Sequence, residues 1–74
     1  MNLDEIRTEI DAVDDELTKL FAKRMELAAE VAEYKRENAM NVYDPARERK
    51  KLADISAKLP DDLKEYGFSL YSLI

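Results

Sequence analysis

Cysteine and histidine are both absent from the 74-residue sequence. Their absence excludes disulfides and metal sites built on thiolate or imidazole ligands. It also removes the two commonest catalytic side chains, a histidine base and a cysteine nucleophile. Because a single chain of this size buries only a modest core, oligomerisation is the remaining way to add buried surface.

Glycine and proline are scarce, with one and two residues, while charged residues make up 39% and hydrophobic residues 46% of the chain. This mixture is typical of a soluble, mostly helical protein. The net charge of -5 argues against a general nucleic-acid binder, which is usually basic. Because there is no apolar run long enough to cross a membrane and no signal-peptide pattern, we expect a cytoplasmic protein.

From Asn2 to Asn38 the sequence predicts one long helix, free of proline and glycine. Asn2 can act as the N-cap, and Glu5 sits where the acid of a capping box belongs. Apolar residues recur in steps of three and four, with a gap at Arg24, at Leu3, Ile6, Ile10, Val13, Leu17, Leu20, Leu27 and Val31. This heptad seam lies on a helix about 50 Å long, too long to be covered by two short helices of the same chain. The seam therefore predicts a second subunit.

Residues 41–45 break the first helix, and a second helix is predicted to begin at Pro45. Asp44 is a natural N-cap, and a proline such as Pro45 suits the first helical turn. The helix then runs to about Lys58 and is ended by the Leu59-Pro60 pair.

A third helical segment begins near Asp61 or Asp62, and Gly67 weakens it by about 1 kcal/mol relative to alanine. It stops at Ile74 without the glycine, basic last turn or polar tail that is usual at a helix end. We interpret it as a truncated helix and residues 1–74 as one all-α domain of three helices, one long and two shorter.

Arg24 interrupts the apolar seam, where a charge is costly unless an anion pairs with it. It can set the register of a helical pair, form an intersubunit salt bridge, or bind an anionic ligand. Lys35 lies about 20° from Arg24 around the helix and roughly 16 Å along it, so the two cations can hold a small dianion between them. Taken alone, Lys35 is also explained as a basic residue near a helix C-terminus.

Arg7 lies roughly 25 Å from Arg24 and 42 Å from Lys35 along the same helix. It cannot share a small ligand with Lys35 of its own subunit. In an antiparallel dimer it serves the site of the other subunit; otherwise it is a solvated charge. At the start of the second helix, Arg47 and Glu48 either lie on the surface or point into a cleft.

Three motifs together resemble the all-helical, type II chorismate mutases. The first two are Leu3-x-x-Ile6-Arg7-x-x-Ile10-Asp11-x-x-Asp14-x-x-Leu17 and Leu20-Phe21-x-x-Arg24-x-x-Leu27-Ala28-x-x-Val31-Ala32-x-x-Lys35. The third is Val42-Tyr43-Asp44-Pro45-x-Arg47-Glu48. The resemblance implies an intertwined helical homodimer that rearranges chorismate to prephenate in phenylalanine and tyrosine biosynthesis. It extends to enzymes in which such a domain precedes a second aromatic-pathway domain.

The resemblance also implies a role for each charged residue. Arg24 and the partner's Arg7 would bind the two carboxylates of chorismate, and Lys35 would donate to its ether oxygen. Glu48 and the Asp44 backbone would hold the ring hydroxyl, while Arg47 would support the carboxylate network. The rearrangement is unimolecular and needs no nucleophile, metal or cofactor, since positioning and fixed donors suffice.

Two departures from the family pattern stand out. Asn41 occupies a position where proline often precedes the Val42 position. The glutamine and serine that the family's third helix supplies would fall beyond Ile74, so residues 1–74 hold only the cationic part of the site.

Two alternative functions stay open: an isochorismate-pyruvate lyase of the same fold, and a helical dimerisation module without catalysis.

Overall fold

The computed structural model describes all residues from 1 to 74. Three α-helices follow one another: α1 (Leu3–Glu37), α2 (Pro45–Lys58) and α3 (Lys64–Leu73), with a 3-10 turn at Asp61–Leu63 before α3. There is no strand, which confirms the prediction of an all-α chain with one long and two shorter helices. None of the helices combines the length and apolar character needed to span a membrane. The chain divides into two compact units, Met1–Asn38 and Ala39–Ile74.

The first unit consists of α1 and its caps. The backbone N–H of Glu5 donates to Asn2 Oδ1 at 2.8 Å, and Asn2 Nδ2 donates to Glu5 Oε1 at 3.3 Å. These two bonds satisfy groups that a helix N-terminus otherwise leaves unpaired, and they confirm the predicted cap. The helix continues without a break for 35 residues, so a single heptad register holds along its whole length.

The end of α1 is set by a backbone reversal rather than by proline. Asn38 closes the last turn, since its backbone N–H and its side-chain Nδ2 both donate to the carbonyl oxygen of Tyr34, at 3.1 and 2.9 Å. The next residue, Ala39, has a φ of 54°, in the left-handed region that ends many helices and that glycine usually occupies. The chain therefore leaves α1 two residues before Asn41.

In the second unit, α2 and α3 pack against each other. Lys64, the first residue of α3, donates from Nζ to the backbone oxygen of Ser56 near the end of α2 at 2.7 Å. Gly67 lies against the side chain of Leu59, and a Cβ at position 67 would collide with Leu59 Cδ1. A glycine within α3 thus allows Leu59 to lie directly on the α3 backbone, a role that helix propensity alone does not reveal.

No residue of the chain is buried. The eight predicted seam residues of α1 and Tyr34, which continues their spacing, are 41–64% exposed; the full set is Leu3, Ile6, Ile10, Val13, Leu17, Leu20, Leu27, Val31 and Tyr34. This row of apolar side chains, from Leu3 to Tyr34, is hereafter called the seam. The structure thus leaves an apolar strip along the whole of α1 in contact with water, and such exposed strips are typical of interaction surfaces.

Candidate active site

Arg24 and Lys35 are distinguished by their burial. Only four residues of α1 are not fully exposed, and these two cations are among them, together with Met25 and Ala32. Because α1 is unbroken, the eleven-residue step from Arg24 to Lys35 leaves them about 20° apart around the axis and roughly 16 Å apart along it. The two long side chains therefore lie on one face of α1.

The heptad register relates these cations to Arg7. The a positions are Leu3, Ile10, Leu17, Arg24 and Val31, and the d positions are Ile6, Val13, Leu20, Leu27 and Tyr34. Arg7 and Lys35 both occupy e positions, four heptads apart. A straight helix drifts by about 20° per heptad, and supercoiling removes this drift. In a supercoiled pair, Arg7 and Lys35 therefore share one flank of the seam.

Asp44, Arg47 and Glu48 come together at the start of α2. Asp44 is the N-cap, and its Oδ1 accepts from the backbone N–H of Arg47 at 3.1 Å. Its backbone oxygen accepts from the N–H of Glu48 at 3.1 Å and keeps a second lone pair for another donor. The cap fixes where α2 begins, and thereby the position of the Arg47 and Glu48 side chains.

The direction of Glu48 follows from the helix geometry. Glu48 precedes Leu52 by four residues and Ile55 by seven, so all three lie on one face of α2. Leu52 and Ile55 are half-buried, whereas Glu48, one turn before them, is exposed. Its carboxylate thus continues the packed face of α2 as an accessible polar group, and it can accept a hydrogen bond from a hydroxyl.

All six predicted site residues have a defined place on a helix or its cap. Arg7, Arg24 and Lys35 lie on α1, and the three residues of the Asp44–Glu48 segment lie at the start of α2. Of the six, Arg24 and Lys35 are half-exposed and the other four are exposed. The chemistry available is that of fixed cationic donors, one carboxylate and backbone groups.

Comparison with known proteins identifies the family. Residues 6–71 match the sequence profile described as chorismate mutase type II. The chain belongs to the chorismate mutase type II family. This match contains all six predicted site residues, which run from Arg7 to Glu48. No solved structure matches the chain significantly.

Three curated relatives align with part of this chorismate mutase type II chain. A T-protein of Haemophilus influenzae is 40% identical over 70 residues, which is 82% of this chain and 19% of the relative. A T-protein of Enterobacter agglomerans is 48% identical over 48 residues, 65% of this chain and 13% of the relative. A chorismate mutase of Methanocaldococcus jannaschii is 45% identical over 47 residues, 64% of this chain and 48% of the relative. The chain therefore spans less than half the length of each of these relatives.

Proposed function

We propose that this chain provides the cationic part of the active site of a chorismate mutase, which rearranges chorismate to prephenate. The observation that carries the proposal is the pair of half-exposed cations, Arg24 and Lys35, on one face of α1 in a member of this family. A relative that bears the name chorismate mutase is 45% identical to the matched part of the chain. The same proposal makes the protein a cytoplasmic biosynthetic enzyme.

The proposed mechanism uses position and charge alone. Arg24 binds one carboxylate of chorismate and thereby holds the substrate in its compact reactive conformer, which lowers the entropic part of the barrier. Lys35 donates to the ether oxygen as the bond to it breaks and negative charge develops there. Glu48 accepts from the ring hydroxyl, the Asp44 backbone supports it, and Arg47 steadies the carboxylate network. No proton has to leave the substrate, so the lack of histidine and cysteine is no obstacle.

The second element of the proposal is a homodimer formed through the seam. The exposed seam is the apolar surface available for this purpose, and a second copy offers a surface of the same length.

An antiparallel pairing of two seams fixes which residues meet. Reversing one helix sets its d positions opposite the a positions of the other. The register that pairs every seam position sets Leu3 against the partner's Tyr34 and Leu17 against the partner's Leu20. In that register the partner's Arg7 is level with Glu30, between Arg24 and Lys35. It lies about 9 Å from Arg24 and about 7.5 Å from Lys35 along the axis, so it can bind the second carboxylate.

The test is turnover of chorismate by the full-length protein. We expect prephenate to form, and Arg24→Ala to lower kcat/KM by about 100–1000-fold or more, the usual loss when a fixed donor to developing charge is removed. Lys23→Ala is the matched control, because it removes the adjacent cation from the exposed surface and should retain activity within about twofold. Circular dichroism checks that both variants stay helical.

The outcome that contradicts the proposal is a folded protein that leaves chorismate unchanged. Release of pyruvate from isochorismate, without prephenate formation from chorismate, would assign the same cations to the lyase reaction instead. Equal activity losses in Arg24→Ala and Lys23→Ala would show that general loss of positive charge, rather than the position of Arg24, explains the effect.

A further inference from the structure

Arg49, Lys50 and Lys51 form the longest run of consecutive cations in the chain, since no other run exceeds two. With Arg47 and Lys58 they give α2 five cations against two acids, a net charge of +3, so the rest of the chain carries -8. One helix of this acidic protein is therefore positively charged. A patch of this kind attracts small anions that the remaining surface repels.

The position of the three consecutive cations within α2 adds to their effect. The long helix α1 begins with two acids, Asp4 and Glu5, which is the usual placement at the positive end of a helix dipole. In α2 the three cations come directly after the first turn, so the dipole adds to their positive potential instead of offsetting it. Three ion pairs neutralise cations elsewhere, and none of them includes a cation of α2: Glu16–Lys19, Glu33–Arg36 and Asp61–Lys64.

Lys50 and Lys51 lie on the same side of α2 as Arg47. They follow it by three and four residues, the spacing at which Cβ atoms on a helix are about 5–6 Å apart. Lys50 is exposed and Lys51 is half-exposed, so both ammonium groups can reach water. An anion in the carboxylate network that we assign to Arg47 lies on the order of 10 Å from them, about one Debye length at 0.1 M salt.

We propose that Lys50 and Lys51 are steering residues, which draw a doubly charged dicarboxylate substrate toward the site beside Arg47 without contacting it. This inference rests on the proposed function, because chorismate has two carboxylates. A dianion interacts with a given positive charge twice as strongly as a monoanion does. The two lysines thereby raise the local concentration of the substrate and the rate at which it binds. The rearrangement takes place after binding and is unaffected.

A structural role for Lys51 has to be separated from this effect. The stem of a lysine can cover apolar surface, and Ile55, four residues after Lys51, is half-buried on the same side of α2. Methionine keeps a long stem and removes the charge, whereas arginine keeps both. Comparison of these two replacements therefore distinguishes charge from packing.

The test measures chorismate turnover by the full-length protein as a function of ionic strength. At about 10 mM, where the Debye length is about 30 Å, we expect the Lys50→Met/Lys51→Met protein to lose about 5- to 15-fold in kcat/KM, through KM and with kcat unchanged. At about 1 M salt, where the Debye length is about 3 Å, it should differ from the native protein by less than about twofold. Lys50→Arg/Lys51→Arg should match the native protein at both ionic strengths.

Lys58→Met is the matched control for position. Lys58 is exposed on the same side of α2, but it lies eleven residues, or about 16 Å, beyond Arg47. At about 10 mM ionic strength, Lys50→Met alone should lower kcat/KM by about 2- to 4-fold, and Lys58→Met by less than about twofold. Circular dichroism checks that all variants remain helical.

Two kinetic results would overturn steering while the native protein still forms prephenate, so that the proposed function is kept. A loss that is equal at low and high salt would assign Lys50 and Lys51 to packing. Equal losses in Lys50→Met and Lys58→Met would assign the effect to net charge, irrespective of position.

A native protein that is inert with chorismate would remove the proposed function, and a binding measurement then decides steering separately. Prephenate is an isomer of chorismate with the same two carboxylates, and its binding is measured by calorimetry at about 10 mM ionic strength, the low-screening condition. Steering predicts a Kd about 5- to 15-fold higher for the Lys50→Met/Lys51→Met protein than for the native protein. Equal Kd values, or no binding to the native protein, would overturn it.

Discussion

At the residue scale, adjacent charges on α1 lie in very different surroundings. Lys35 is half-exposed, whereas Arg36, the next residue, is exposed and forms a surface ion pair with Glu33 at 2.8 Å. Exposed ion pairs of this kind contribute little to stability, about 0–1 kcal/mol. The contrast gives Lys35 and Arg36 different expected roles although both are basic residues in the last turn of one helix.

This contrast predicts the outcome of replacing each residue by methionine, which keeps a long side chain but removes the charge. Lys35→Met should lower kcat for chorismate by about 100–1000-fold, because the donor to the ether oxygen is lost. Arg36→Met should change kcat by less than about twofold. Steady-state kinetics on the two full-length variants measure the difference, and comparable losses in both would contradict the role proposed for Lys35.

The roles of some residues can be predicted from the sequence, whereas the roles of others depend on contacts between helices. Arg24 is found from the sequence because it breaks a regular apolar pattern. The reason for Gly67 is not found, because the contact with Leu59 joins residues on two helices and leaves no periodic signal. From the sequence alone, Gly67 is seen only as a residue of low helix propensity.

At the element scale, α2 and α3 are joined by a lysine that crosses from one helix to the other. Lys64 Nζ donates to the Ser56 backbone oxygen at 2.7 Å and lies 3.8 Å from Asp61 Oδ1. The same Ser56 oxygen also accepts from the N–H of Leu59 at 3.2 Å. Because the last carbonyls of a helix have no partner within it, Lys64 stabilises the end of α2 and the start of α3 together.

Lys64→Met should therefore lower the free energy of unfolding by about 1 kcal/mol, less than the full value of a charged hydrogen bond because the side chain is partly exposed. Lys50→Met, on the exposed surface of α2, should change it by no more than about 0.5 kcal/mol. Urea unfolding at a fixed protein concentration measures both. Equal stability of the two variants would show that the Lys64 bond contributes nothing.

The helices themselves are largely predictable from local signals. The Asn2 and Asp44 caps and the Leu59-Pro60 stop give the ends of α1 and α2 to within a residue. The left-handed conformation of Ala39 is not predictable, because alanine has no preference for it. The bond from Lys64 to Ser56 also escapes prediction, since it depends on how the chain turns between α2 and α3.

At the scale of the whole molecule, the distance along α1 from Arg7 to Arg24 and Lys35 has a functional consequence. Arg7 lies about 42 Å from Lys35 along α1, too far for both to bind one small substrate in the same subunit. The proposed dimer resolves this by exchanging the residues between subunits. Each complete site then needs two chains, and inactivating substitutions in different chains can compensate for each other.

Mixed dimers of Arg7→Ala and Arg24→Ala subunits should therefore recover activity that neither variant has alone. One site of the mixed dimer has a native Arg24 and a native Arg7 from the partner. After full exchange of equal amounts, activity should approach about a quarter of the native value, because half of the dimers are mixed and each has one working site. Subunit exchange is verified by mass spectrometry of differently tagged chains, and exchanged but inactive dimers would rule out the shared site.

The unbroken heptad register of α1 also determines which changes in helix length the protein can accommodate. Seven extra residues between Arg7 and Arg24 would lengthen both seams equally and leave the partner's Arg7 at the same distance from Arg24. The two sites would merely move apart, by about 10 Å. The same insertion between Arg24 and Lys35 would separate the residues of each site. In the proposed dimer, the centre of α1 would therefore be a spacer that can vary by whole heptads, whereas the segment from Arg24 to Lys35 would have a fixed length.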